Sequence, residues 1–92
     1  NALKSAVEQY VYSEKDLPAT ITDLTDYMSK IPDKYHLNSP DDFTNGEATV
    51  TIGYTGGDIL AEDVNKQYSE ATTVQIDSKD CPGISVQVRK WW

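Results

Sequence analysis

Cysteine is nearly missing from this 92-residue chain: Cys81 stands alone and cannot close an internal disulfide, so its partner lies outside these residues or the thiol is free. Basic residues are scarce as well. Eight Lys and Arg face fifteen Asp and Glu, for a net charge of −7, and between Asp33 and Asp80 ten acids meet only Lys34, Lys66 and Lys79. A nucleic-acid surface needs clustered cations to displace counterions, and the nearest approach is the Arg89-Lys90 pair, so nucleic acid is not expected as a partner. The acid surplus reads most simply as solubility. No apolar run within these residues approaches the roughly 20 that span a bilayer, and none has the build of a cleavable signal peptide.

What is present is enough for one small domain over residues 1–92. With 38% hydrophobic and 25% charged residues the chain is too apolar for a disordered tail. At this size folding buries only about 60 to 65% of the unfolded surface, so the core must be small.

Leu3, Ala6, Val7 and Tyr10 recur at three-and-four spacing, Ala2 and Val11 widen the stripe, and Lys4, Glu8 and Gln9 point elsewhere. This pattern predicts an amphipathic helix to about Glu14. Three to four turns are marginal alone in water because nucleation is costly, so the stripe is a docking surface. The helix opens without a cap or an initiator Met, which reads as the back half of something longer, a trimmed extracellular domain. Leu17-Pro18 ends it. Thr20 or Thr22 can cap a second short helix, with Asp23 and Asp26 near its positive end, Leu24, Tyr27 and Met28 on its buried side, and Ile31-Pro32 as its stop. From Asp33 to Asn45 the abundance of Asp, Asn, Ser and Pro predicts an extended connecting loop.

Asn45-Gly46 is a turn dipeptide, and Glu47 to Tyr54 then alternates, with Ala48, Val50, Ile52 and Tyr54 on one face. Gly56-Gly57 breaks this strand, and between Asp58 and Tyr68 a four-residue period permits a short helix or an irregular loop. Thr72, Val74 and Ile76 form a second alternating run and Ile84, Val86 and Val88 a third, paired antiparallel across a turn at Ser78–Gly83. The expected fold class is therefore α+β: an N-terminal amphipathic helix packed on an antiparallel sheet of three to four strands.

The stretch ALKSAVEQYVYSEKDLPATITDLTDYMSKIP, about a third of the chain, resembles the soluble domain of type IV pilins and type II secretion pseudopilins. Shared features are the AVEQY-like helix centre, a loop ending in proline, a T-x-x-D-L helix and a closing proline. The rest matches as a succession of strands. The resemblance implies that residues 1–14 are the back half of a long helix whose apolar front half anchors the precursor in the inner membrane. It further implies a helix lying on a meander of antiparallel strands. The implied function is non-enzymatic: a filament subunit at the bacterial cell surface whose partners are other pilin subunits, with Leu3, Ala6, Val7, Tyr10 and Val11 as helix packing face. Two departures stand out: Cys81 has no partner for a C-terminal disulfide, and the WG-type motif of many major pseudopilins is missing.

Other chemistry is weaker. Cys81 and His36 could be written as nucleophile and base, but Asp80 beside the thiol opposes thiolate formation, so no catalytic residue is assigned. Asn38, Asp41, Asp42 and Asn45 gather oxygen ligands in one loop without EF-hand spacing, and a solvated acidic turn explains them better than Ca²⁺, so neither metal nor cofactor is assigned. Continuing the Ile84 alternation places Trp92 on the apolar side as a core lid and leaves Trp91, with Asp41 and Asp42, as a surface-contact candidate. Tyr10, Tyr27, Tyr35, Tyr54 and Tyr68 occupy core-type positions. The alternatives are an adhesin-like minor subunit using 33–45 or 58–70, a secretion pseudopilin, and a small acidic inhibitor that imitates nucleic acid.

Overall fold

A computed structural model of the chain describes residues 2–57 and 71–92. Helix α1 spans Ala2–Glu14, as its apolar stripe predicts, and stops where Lys15 turns into the left-handed region at φ 56°. The Lys15 N–H still donates to the Val11 carbonyl at 3.1 Å, which closes the last helical turn. After Leu17 and Pro18, both buried, a 3₁₀ helix runs over Ile21–Tyr27. Asp23 organises its start: one carboxylate oxygen accepts the N–H groups of Ala19 at 2.8 Å and Thr20 at 3.2 Å, which the helix cannot satisfy internally. Leu24 is fully buried, and Met28 lies beyond the 3₁₀ helix in extended backbone.

Four strands are described: β1 Tyr35–Asn38, β2 Glu47–Tyr54, β3 Ala71–Ile76 and β4 Lys79–Arg89. All pairings are antiparallel, in the order β1-β2-β4-β3. The register aligns Ala48 with Val88, Val50 with Val86, and Ile52 with both Leu37 and Ile84, which puts them on one face of the sheet. That face and α1 share one core with Leu24. An α+β architecture follows, with a helix over an antiparallel sheet.

Several expectations need correction. Asp33 to Asn45 is not all loop, because Tyr35–Asn38 pairs with the far end of β2 and buries Leu37. Four residues of mixed composition carry no pattern of their own; the pairing makes the strand. The turn expected at 78–83 is only two residues long. Asp77 and Ser78, at φ 52° and 65°, join Ile76 to Lys79, and 79–83 belongs to β4. Two successive positive φ values suit the right-handed twist of a hairpin. Pro82 is tolerated within β4 because pairing with β2 ends at Gly83, leaving only β3 beside it. The sheet is not a simple meander either. β4 is the longest strand and lies between β2 and β3, using 83–89 for one partner and 79–84 for the other. The proposed helix between Asp58 and Tyr68 lies outside the described residues.

Candidate functional site

Along α1, Leu3, Ala6, Val7 and Val11 are buried and Tyr10 is half-buried. Their shared core with Val50, Ile52, Val86 and Val88 explains how so short a helix is held. The opposite face is open: Ser5, Glu8, Gln9, Tyr12 and Ser13 are all exposed.

The C-terminal end of α1 is tied to the 3₁₀ helix by a tyrosine pair. The rings of Tyr10 and Tyr27 meet edge to face at 5.8 Å, and the Tyr27 hydroxyl donates to Glu14 Oε1 at 2.7 Å. Partial burial, then the charges of Asp23, Glu14 and Asp16, raise the Tyr10 pKa above its ordinary 10.0. The bond to Glu14 is the main reason that Tyr27 rises above the same value. Tyr35 and Tyr54, 5.0 Å apart, are half-buried at the opposite end of β2.

Asp41 and Asp42 are exposed, and Asp42 Oδ1 accepts the following N–H of Phe43 at 2.7 Å. Asn45 and Gly46, at φ 54° and 77°, form the tight turn, closed by two backbone bonds between Thr44 and Glu47. Asn38 faces solvent from β1. Among the described residues no three His, Cys, Asp or Glu side chains come together in a metal-binding group.

Cys81 and His36 do not meet: His36 is exposed on β1, Cys81 is buried on β4, and β2 runs between these strands. Cys81 pairs with Val74 on the sheet face away from α1. On the same face Val74 and Ile76 lie over Gly53 and Gly83. A Cβ at Gly53 would meet Ile76 Cδ1 at 2.7 Å, and one at Gly83 would meet Val74 Cγ2 at 2.7 Å.

The C-terminal aromatics do not continue the strand. β4 ends at Arg89, the Lys90 N–H donates to the Gly46 carbonyl at 2.8 Å, and both tryptophans leave the alternation. Trp92 is therefore no core lid; it is 38% exposed and rests edge-on against Phe43 at 5.4 Å. Trp91 turns back to α1. Its indole N–H donates to the Tyr12 carbonyl at 3.0 Å, its ring stacks on that of Tyr12 at 5.3 Å, and Lys15 Nζ lies 5.2 Å from its centroid. Tyr12 is 67% exposed and Trp91 53%. They line a groove of about 300 Å³ between α1 and the end of β4, together with Glu8, Val11, Gln87, Val88 and Arg89. The register turns the Gln87 and Arg89 side chains to the sheet face away from α1, where Gln87 Oε1 accepts the Thr49 hydroxyl at 3.2 Å. Arg89 Nε lies 3.1 Å from Glu47 Oε1 in a solvent-exposed ion pair.

The sequence pattern singles out Trp91 as a surface residue, and it is exposed; it passes over Tyr12, which is exposed beside it. The available signal was an aromatic on the polar side of an amphipathic helix, where packing gives no reason for one. Comparison with known proteins shows no match: no family model, no curated protein and no solved structure is significantly similar to this chain.

Proposed function

We propose that this chain is a structural subunit of a type IV pilus-like filament, exposed on the bacterial surface, whose partners are further pilin-type subunits. The observation that carries the reading is the two-faced α1. One face is buried against the domain's own sheet through Leu3, Ala6, Val7 and Val11, while the other is open for neighbouring subunits. This is the division of labour the AVEQY-to-IP resemblance implies. The 3₁₀ helix with its T-x-x-D-L segment also falls where that resemblance expects a short second helix.

In this mechanism α1 continues upstream as an apolar helix that anchors the precursor in the inner membrane and later packs in the filament centre. Association is non-covalent and driven by apolar surface leaving lipid or water, at about 25 cal/mol per Å² where water is displaced. The role calls for no catalytic group. The strand order β1-β2-β4-β3 departs from a simple meander, so the reading rests on the helix and its connection to the sheet.

The gene sequence upstream of the Asn1 codon tests it. The expected result is about 25 to 30 mainly apolar codons in helical continuity with α1. A polar or unrelated segment there sinks the proposal.

A further inference from the structure

We propose that Lys90, Trp91 and Trp92 form a strap that closes the end of α1 against the sheet and opens as one unit, short of unfolding of the domain. An α-helix leaves its last four carbonyls without a partner inside the helix, and each needs a donor from elsewhere. In α1 these belong to Val11, Tyr12, Ser13 and Glu14. The Lys15 N–H takes the first at 3.1 Å, and the Trp91 indole N–H takes the second, that of Tyr12, at 3.0 Å. A side chain 79 positions along the chain thus adds a donor where the helix backbone runs out of them. The same indole stacks on the Tyr12 ring and carries Lys15 Nζ over its face. The residues on either side of Trp91 grip other places. The Lys90 N–H donates to the Gly46 carbonyl at 2.8 Å, in the turn before β2, and Trp92 rests edge-on against Phe43 at 5.4 Å and against Trp91 at 5.9 Å.

Two features let this joint open by itself. Trp91 and Tyr12 keep more than half of their surface in water, so closing the strap buries little apolar area, and thinly covered contacts open at lower free energy than a core. The pairing of β4 with β2 also ends at Arg89 and Glu47, so residues 90–92 can lift without breaking the sheet. The contacts act together because they meet at one ring: when Trp91 leaves α1, the indole bond, the stack on Tyr12 and the Lys15 contact are lost at once. Val11 and Val88, both buried, line the groove beside Trp91, and lifting the strap widens that groove. The inference stands on these contacts alone and is independent of the filament reading.

Native-state hydrogen exchange on the 92-residue protein, followed by NMR at several urea concentrations below the unfolding midpoint, tests the proposal. The Trp91 indole N–H and the Lys15 and Lys90 amides should exchange through a common opening that urea barely changes, whereas the Val50 and Val86 amides should follow global unfolding with its full urea dependence. Trp91→Phe keeps a ring for stacking and removes the donor. It should speed exchange at Lys15 and Lys90 by about two- to tenfold, the net worth of one hydrogen bond. Trp92→Ala, which alters a side chain that does not touch Lys15, should speed exchange at Lys15 as well, because the strap lifts as a whole. Lys15 exchange unchanged in either variant would mean that the helix end frays by itself. Lys15 exchange with the same urea dependence as Val50 and Val86 would mean that no separate opening exists. Either result overturns the proposal.

Discussion

Two glycines show how much a single side chain can matter in this domain. Gly53 and Gly83 face each other across β2 and β4, and the space a Cβ would take is filled by Val74 and Ile76 reaching over from β3. At Gly83 the main-chain oxygen of Ile52 closes in as well, and a backbone atom cannot rotate aside. Gly83→Ala should therefore destabilise the fold by about 1 to 3 kcal/mol, the usual cost of overpacking, read as a lower urea midpoint at unchanged slope. An unchanged midpoint would show that β3 can retreat freely. Nothing in the sequence marked these glycines: Gly53 looked like an ordinary strand residue and Gly83 like part of a turn.

At the scale of the elements, the β3–β4 hairpin carries avoidable strain. Asp77 and Ser78 both hold positive φ, and for a residue with a Cβ the left-handed region costs about 1 to 2 kcal/mol relative to glycine-like freedom. Ser78→Gly should raise stability by about 1 kcal/mol in chemical denaturation, because an Asp-Gly turn is the preferred two-residue hairpin loop. A loss of stability instead would mean that the serine side chain is needed. The contrast with Asn45-Gly46 is instructive: there the turn was legible because its residues advertise positive φ, whereas Asp77-Ser78 was hidden inside a longer stretch of turn-prone residues. Pro82 made that stretch look unsuited to a strand, and only the end of β2 pairing at Gly83 made room for it.

Across the whole molecule, the acid surplus acts together with the Tyr10–Tyr27 contact that links α1 to the 3₁₀ helix. Both tyrosine pKa values lie above 10.0 in the folded state, so the fold prefers their protonated forms. The stabilisation is complete below the unfolded pKa near 10 and is lost as pH rises through the raised folded values. Stability measured by urea denaturation should accordingly fall in the alkaline range above pH ~10, and Tyr27→Phe should make that fall shallower. An equally steep fall in the variant would remove Tyr27 from the account. At neutral pH both hydroxyls stay protonated, and Tyr27 serves as a donor to Glu14.

The helix at Ala2–Glu14, its buried stripe, the strand at Glu47–Tyr54 and the antiparallel pairing of the last two strands could all be read from residue order. Periodic burial is a local signal: a face that must leave water writes itself into every third or fourth residue, or every second. Three features needed the folded chain: the short strand Tyr35–Asn38, the central place of β4, and the return of Trp91 to Tyr12. Each depends on partners far away in the chain, and a residue's own neighbours carry no record of which distant backbone edge or ring it will meet. That is why alternation alone makes Trp92 a lid and passes over Tyr12, although Tyr12, Trp91 and Trp92 are the exposed large apolar side chains among the described residues.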